Sequence, residues 1–172
     1  RNLGISYERM GRVDDALFNL RSSLSLSREI GERNNEAMTL YSLGTLYMKT
    51  GKEEEASSAL KEAYRIGKEL NLPEVAWRSL KAHASLYAKT GKPADAYKEL
   101  KEAINLVEKM RGRIKVDEYK TGFLENKSDL YEEMVMLLLE MGRSEEAFNY
   151  SERGRSRNFI DMLGNQKLNL KS

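Results

Sequence analysis

The sequence predicts an all-α fold, an antiparallel helical solenoid of about four helix pairs. The segment from Leu46 to Ala63 is identical at 11 of 18 positions to the segment 40 residues later, from Leu86 to Ala103. Self-similarity at a fixed period of about 20 to 50 residues is typical of repeat arrays. Only 2 prolines interrupt the 172 residues, and apolar residues recur at the i, i+3, i+4, i+7 spacing of a buried helical face.

Composition excludes several classes of function. The net charge of +2 is close to balance, so no global charge points to nucleic acid or to an acidic membrane. No apolar run is long enough to cross a bilayer. The sequence has no cysteine, which excludes disulfides and fits a reducing compartment, so we expect a cytoplasmic protein. No triad, paired acid or metal-ligand motif is evident, and we expect neither catalysis nor a metal or other cofactor.

The first unit covers about residues 1–33. The chain opens inside a repeat, without a helix cap, so we expect an excised part of a longer protein. Tyr7 and Gly11 would close a truncated first helix, and Asp14 and Asp15 favour the positive end of the next one. The apolar stripe of that helix ends near Gly31 and contains Val13, Ala16, Leu17, Leu20 and Leu24.

The second and third units cover about residues 34–73 and 74–110. Asn34 or Asn35 is expected to cap the first helix of the second unit. Gly51 and Gly91 stand where a helix end needs a left-handed residue. Pro73 breaks the pattern between the units.

The fourth unit is displaced along the chain. Gly142 follows Gly91 by 51 residues, eleven more than the period. We therefore expect a longer connection at 111–127, with room for a short helix, and a last helix pair at 128–164. Residues 1–164 would form a single repeat domain, and 165–172 a tail.

Small residues recur at fixed distances from the turn glycines. Gly44 and Ala84 lie seven residues before the glycine, and Ala56 and Ala96 lie five after it. Small side chains let two helix backbones approach closely. Tyr47 and Tyr87 are expected to fill the space between neighbours, and stability would come from stacking of the units.

These residues resemble the tetratricopeptide family, whose pattern is matched in order by Leu43, Gly44, Tyr47, Gly51, Ala56 and Leu60. The resemblance implies a right-handed α-α superhelix that binds a protein or peptide. The family repeat is usually about 34 residues, so the 40-residue period implies that both helices gain part of a turn. The third unit departs from the pattern, because His83 and Ala84 replace the Leu-Gly pair.

The last third of the chain carries a second resemblance. It rests on Leu130-Tyr131, on Leu137 to Arg143, on Ala147-Phe148 and on Glu152 to Leu163. These segments are similar to the final repeat before the caspase-like CHAT peptidase domain in bacterial proteins. That resemblance implies a regulatory, partner-sensing arm beside a peptidase domain, whose own His and Cys would lie outside this chain.

In the tetratricopeptide family the first helix of each pair lines a concave groove, at positions 13, 10, 6 and 2 before the turn glycine. Transferred to this sequence, the groove candidates are Arg9, Met38, Tyr41, Thr45, Lys49, Arg78, Lys81, Ser85 and Lys89. Five of these nine are basic, whereas the fourth-unit equivalents Asp129, Glu132, Met136 and Glu140 are mostly acidic. A polarised groove could grip a peptide carboxylate or an acidic side chain. The alternative is a solvated helix face.

Three further features favour structural roles. His83 is the only histidine and is expected in the core, because a lone His without clustered acids makes no metal site and has no evident nucleophile to serve. The Lys49-Thr50-Gly51-Lys52 turn lacks the phosphate-loop motif. The basic run from Arg153 to Arg157 fits salt bridges or domain docking better than nucleic-acid binding, because few aromatics accompany it.

The sequence therefore predicts a non-catalytic domain that binds a protein or peptide. This domain would be the regulatory, partner-sensing arm of a larger multidomain protein. The alternative is a structural scaffold that forms a homodimer or docks an adjacent domain through its end faces, since an uncapped repeat exposes apolar surface.

Overall fold

A computed structural model describes residues 12–113 and 128–155 of the chain, and in these two ranges every regular element is a helix. The seven helices are α1 (Val13–Glu29), α2 (Arg33–Lys49), α3 (Glu53–Glu69), α4 (Pro73–Lys89), α5 (Pro93–Gly112), α6 (Ser128–Glu140) and α7 (residues 144–155). The predicted all-α repeat fold is confirmed. The predicted first helix around Tyr7 and Gly11, most of the connection and the tail lie outside the described residues.

Three-residue turns set the period of the array. Helices α1 to α4 have 17 residues each, and the middle residue of every turn after them has a positive φ: Gly31, Gly51, Asn71 and Gly91. Lys52 N–H donates to the Tyr47 carbonyl at 2.9 Å across the second turn, as in a Schellman motif. The 40-residue period thus divides into two equal halves of 20 residues, each a helix and a turn. The sequence comparison had shown only the full period.

The short turns also correct the predicted helix starts. The helix α2 begins at Arg33 with Glu32 as its N-cap residue, so neither Asn34 nor Asn35 caps it. A three-residue turn leaves no space for a cap further along the chain, and Asn35 instead donates to the Ser27 hydroxyl at 2.6 Å. At its far end α5 continues to Gly112, two residues into the predicted connection.

Each helix packs mainly on its neighbours in sequence, and α2 also contacts α4 across the array. Two clusters of buried apolar side chains result: one spans α1 to α3 with Leu86 of α4, and the other spans α4 to α7. Stacking therefore buries apolar faces that no single unit could bury by itself. None of the described helices is both long and apolar enough to cross a membrane.

Small residues permit the close approach of paired helices. A Cβ built on Gly44 would lie 2.6 Å from Leu60 Cγ, so only glycine leaves space for that leucine. Ala16, Ala56 and Ala96 are fully buried, as the sequence predicted. A second close approach was not predicted: a Cβ on Gly67 would lie 3.1 Å from the backbone nitrogen of Ala76, where α3 meets α4.

Candidate functional site

A cleft of about 490 Å³ lies between α2, α4 and α6; we call it the α2–α4–α6 cleft. Six of the eight described groove candidates line it, namely Tyr41, Thr45, Lys49, Arg78, Lys81 and Ser85. The structure thus brings together residues that are up to 44 positions apart in the sequence. They face one space because the first helices of successive units pack side by side.

The remaining candidates are not brought together with these six. Met38 and Lys89 do not line the α2–α4–α6 cleft, although Lys89 is exposed at the end of α4. Arg9 lies outside the described residues. Asp129, which was expected at the acidic end of the groove, also lines the cleft, and sequence reasoning missed four other lining residues: Met48, Trp77, Ala82 and Glu133.

The acidic residues of α6 meet the basic face of α4 directly. Lys81 pairs with Asp129, and its Nζ lies 3.8 Å from Glu133 Oε2. The Ser85 hydroxyl donates to Glu133 as well. Glu133, rather than the predicted Glu132, therefore turns toward the cleft. Its spacing from Asp129 was a usable signal, because residues i and i+4 share one helix face.

Arg78 contacts an aromatic and an acidic neighbour on its own helix. Its guanidinium carbon lies 5.4 Å from the centre of the Trp77 ring, and Nε lies 3.4 Å from Glu74 Oε2. Trp77 Nε1 donates to the same carboxylate at 2.9 Å. A guanidinium ordered in this way presents its remaining N–H groups in a fixed direction, which suits a planar carboxylate.

The hydroxyl groups of the cleft face helix backbones as well as the open space. Thr45 donates to the Ser42 carbonyl at 2.9 Å, and Ser85 donates to the Lys81 carbonyl at 3.1 Å. Tyr41 is half-buried beside Met48. The walls therefore combine apolar surface with a few polar groups that can orient a ligand, the usual composition of a binding site.

His83 lies outside this cleft and is buried, with 2% of its surface exposed, as the sequence predicted. Its Nε2 lies 2.9 Å from the Ser57 hydroxyl and its Nδ1 lies 3.1 Å from Glu99 Oε1. Its ring also contacts the Tyr87 ring, with 4.2 Å between the centroids and 46° between the planes. Helices α3, α4 and α5 each contribute one member of this polar triplet.

The described part of the basic run forms salt bridges. Arg153 Nη2 lies 3.7 Å from Glu108 Oε1 on α5, and Arg155 Nη1 lies 3.3 Å from Glu152 Oε1. Tyr131 of α6 donates to Glu108 as well. Arg153 thus joins α7 to α5, in agreement with the structural interpretation. Arg157 lies outside the described residues.

Two protein-family models match parts of the chain. Residues 1–69 match the model of the tetratricopeptide repeat, and residues 78–114 match the model of anaphase-promoting complex subunit 5. The first match, together with the helical fold, identifies tetratricopeptide-like repeats in this chain. Repeats of this kind generally mediate protein–protein interactions and are not catalytic.

Solved structures show the same fold at low sequence identity. The crystal structure of BtubC (BKLC) from P. vanneervenii is 17% identical, with a TM-score of 0.76 over 92% of this chain and 61% of that one. A putative kinesin light chain with nearly identical TPR-like repeats from Podosopora anserina is also 17% identical, with a TM-score of 0.57 over 91% of each chain. The present chain thus spans about three fifths of the first structure. No curated protein sequence matches it significantly.

Proposed function

We propose that the chain binds a short segment of a partner protein in the α2–α4–α6 cleft, without catalysis at that site. The observation that carries the proposal is the convergence of six groove candidates on one cleft. The space of about 490 Å³ falls within the range of natural binding pockets, and it suits a few peptide residues rather than a whole folded surface.

The preferred ligand carries a carboxylate, either an acidic side chain or a free C-terminus. Lys49 lines the cleft from α2 and Arg78 from α4, whereas the acidic pair lines it from α6. The guanidinium of Arg78 can form two parallel hydrogen bonds to a carboxylate, and Lys49 adds a point charge. The apolar surfaces of Met48 and Trp77 would contact the neighbouring ligand residues.

The acidic pair of α6 makes the cleft selective. Asp129 and Glu133 already contact Lys81 and Ser85, the groups that a ligand carboxylate would otherwise reach. An acidic ligand must therefore bind beside this pair or displace it. Glu133→Gln should strengthen binding of an acidic peptide, because it removes a repelling and competing charge.

An array of immobilised peptides tests this function, with each peptide present as a free acid and as a C-terminal amide. The variant Lys49→Glu with Arg78→Glu should lose at least about tenfold in affinity for the acidic peptides that the wild type retains. A matched control, Lys98→Glu with Lys109→Glu, makes the same change in net charge on α5, away from the cleft. Equal losses in both variants, or none in the first, would refute the proposed site. Circular dichroism establishes that each variant keeps its helices.

A second candidate function is a scaffold that associates through its end helices. Large apolar side chains are exposed at both ends of the described array: Phe18, Leu26 and Ile30 in and after α1, and Met136, Leu139 and Phe148 in α6 and α7. Light scattering over a concentration series tests self-association. A dimer that Leu139→Glu with Phe148→Glu abolishes would support this candidate, and a strict monomer at high concentration would exclude dimer formation.

In either case we propose that the repeats act as the regulatory arm of a larger cytoplasmic protein. The support is the resemblance of residues 130–163 to repeats that precede a CHAT peptidase domain, a region that neither family model covers. The corresponding test is the gene itself. A continuation beyond Ser172 into a domain with a His and a Cys would support the proposal, and a stop codon there would exclude it.

A further inference from the structure

We propose that Ser57, His83 and Glu99 form a nucleophilic site that accepts the acyl group of an activated ester. This inference is independent of the peptide-binding cleft, which lies on other residues. Ser57 lies 26 positions before His83 in the sequence, and Glu99 lies 16 positions after it, each on a separate helix. The inference therefore rests on the geometry of the fold. The assembly of these three residues depends on the packing of α3, α4 and α5.

The three side chains are connected as an activated serine requires. Ser57 Oγ lies 2.9 Å from His83 Nε2, and His83 Nδ1 lies 3.1 Å from Glu99 Oε1. Both distances are within hydrogen-bonding range. In a nucleophile–base–carboxylate arrangement the base contacts the hydroxyl through one ring nitrogen and the carboxylate through the other.

The partners determine the tautomer of the neutral imidazole. An ionised carboxylate has no proton to donate, so His83 Nδ1 must donate to Glu99. The neutral ring then keeps its lone pair on Nε2, which can accept only from the Ser57 hydroxyl. His83 is thus oriented to withdraw the serine proton, and burial of all but 2% of its surface prevents rotation away from that orientation.

Packing alone does not require these polar residues. The equivalent positions one period earlier hold Leu17, Leu43 and Ala59, all of which are buried. The same interior space of the preceding unit is therefore filled by apolar side chains. A buried polar group is costly unless it is hydrogen-bonded, so His83 depends on partners such as Ser57 and Glu99, whereas Leu43 needs none.

The serine is accessible from an open cleft. A cleft of about 660 Å³, which we call the Ser57 cleft, is lined by Glu53, Glu54, Ser57, Ser58, Lys61, Leu86, Tyr87, Thr90 and Lys92. His83 and Glu99 do not line it, so Ser57 stands between the base and the space that a substrate would occupy. The helical backbone around Ser57 uses its N–H groups within the helix, and the ammonium groups of Lys61 and Lys92 would therefore stabilise an oxyanion.

The step is a balanced acyl transfer. Ser57 Oγ attacks the ester carbonyl carbon while its proton passes to His83 Nε2. The tetrahedral intermediate collapses, the bond to the leaving oxygen breaks, and the leaving group departs into the Ser57 cleft as a stable anion such as nitrophenolate. An acyl-serine results, and the serine proton stays on His83. Water that enters the cleft then hydrolyses the acyl-serine slowly to a carboxylic acid and restores the hydroxyl.

The test uses the 172-residue chain with p-nitrophenyl acetate and a fluorophosphonate probe. We expect nitrophenolate release above the solution background and attachment of one probe molecule to Ser57, located by peptide mass spectrometry. Ser57→Ala should abolish both. Ser25→Ala is the matched control, since Ser25 is exposed on α1 and does not line the Ser57 cleft, and it should keep both. Labelling that survives in Ser57→Ala, or is absent in the wild type, overturns the proposal.

Glu99 is a positioning residue, and its role has a readout that a purely structural role would not change. Its side chain is 22% exposed, so a small carboxylate can reach the space that a truncation opens. Glu99→Ala should lower the acetylation rate about 100-fold or more, and added formate should restore part of it while chloride does not. A rate that formate leaves unchanged, with the helical content intact, rules out the assigned role.

Discussion

Gly44→Ala tests whether close helix packing, rather than helix propensity, determines the residue at this position. The added Cβ would lie 2.6 Å from Leu60 Cγ and 2.7 Å from Leu60 Cδ2. Leu60 is fully buried, so it cannot move aside into solvent. Alanine is favoured over glycine in a helix by about 1 kcal/mol, while overpacking of a core costs about 1–3 kcal/mol.

The balance of these two terms is a net loss of up to about 2 kcal/mol in the free energy of unfolding. Removal of the Leu60 side chain reverses the sign of the effect of Gly44→Ala on the free energy of unfolding. In a Leu60→Ala background, which itself costs about 2–5 kcal/mol, the nearest other atom is the Ala56 carbonyl oxygen at 3.4 Å. Gly44→Ala should then become stabilising, so the two substitutions should couple by about 1–3 kcal/mol.

Urea unfolding of the four proteins in this double-mutant cycle measures the coupling. Gly112→Ala is the control, because Gly112 is the last residue of α5 and an added Cβ would meet nothing within 4 Å among the described residues outside its own helix; it should be neutral or stabilising by up to about 1 kcal/mol. The reasoning is refuted if Gly44→Ala stabilises the wild type as much as the control does, or if the cycle shows no coupling.

Three further changes have defined outcomes. Gly51→Ala should cost about 1–2 kcal/mol by thermal unfolding, purely from its φ of 73°, since nothing obstructs the added Cβ; an unchanged melting temperature would contradict this. Glu36 is 5% exposed and pairs with Arg28 at 2.9 Å and Arg33 at 3.5 Å. Glu36→Gln should cost about 1–2 kcal/mol by urea unfolding, because both guanidinium groups remain partly solvated, and a neutral effect would show that the pairs contribute nothing. Burial and the hydrogen bond to Glu102 raise the pKa of Tyr64 above the ordinary 10.0. The folded chain therefore keeps this phenol neutral where the unfolded chain ionises, so its contribution to stability is complete below about pH 10 and is lost as the pH rises through the folded pKa. Glu102→Gln should lower the pKa of Tyr64 in an absorbance titration of the phenolate, and an unchanged titration would remove Glu102 as a cause.

The architecture could be predicted from the sequence because its determinants are local. Gly51 and Gly91 mark turns, and Ala56 and Ala96 mark contacts between paired helices. Because these positions recur every 40 residues, they predict the turns and helix pairs of the whole array. Asn71 was harder to recognise, because the left-handed position is occupied there by a residue other than glycine. The α3–α4 contact at Gly67 carries no repeated signal, since the equivalent position of the next unit is Val107.

The sites depended on packing between helices and were predicted only in part. Counting back from turn glycines found the α2 and α4 residues of the α2–α4–α6 cleft, since those helices share one register. The same count selected Glu132 in α6, where Glu133 faces the cleft. A count from Gly142 therefore does not reproduce in α6 the register that α2 and α4 share. The contacts of His83 with Ser57 and Glu99 could not be predicted for the same reason, because each joins two different helices.

Because α1 to α4 have equal lengths and an equal turn follows each, a 40-residue block that starts at the first residue of a helix is a natural unit of duplication. Duplication of residues 53–92 would add one helix of each kind and leave every later helix pointing in its original direction. A 20-residue insertion would instead reverse the direction of all later helices and exchange their inner and outer roles. The binding surface can therefore be lengthened without disturbing later helices only by duplication of whole 40-residue units.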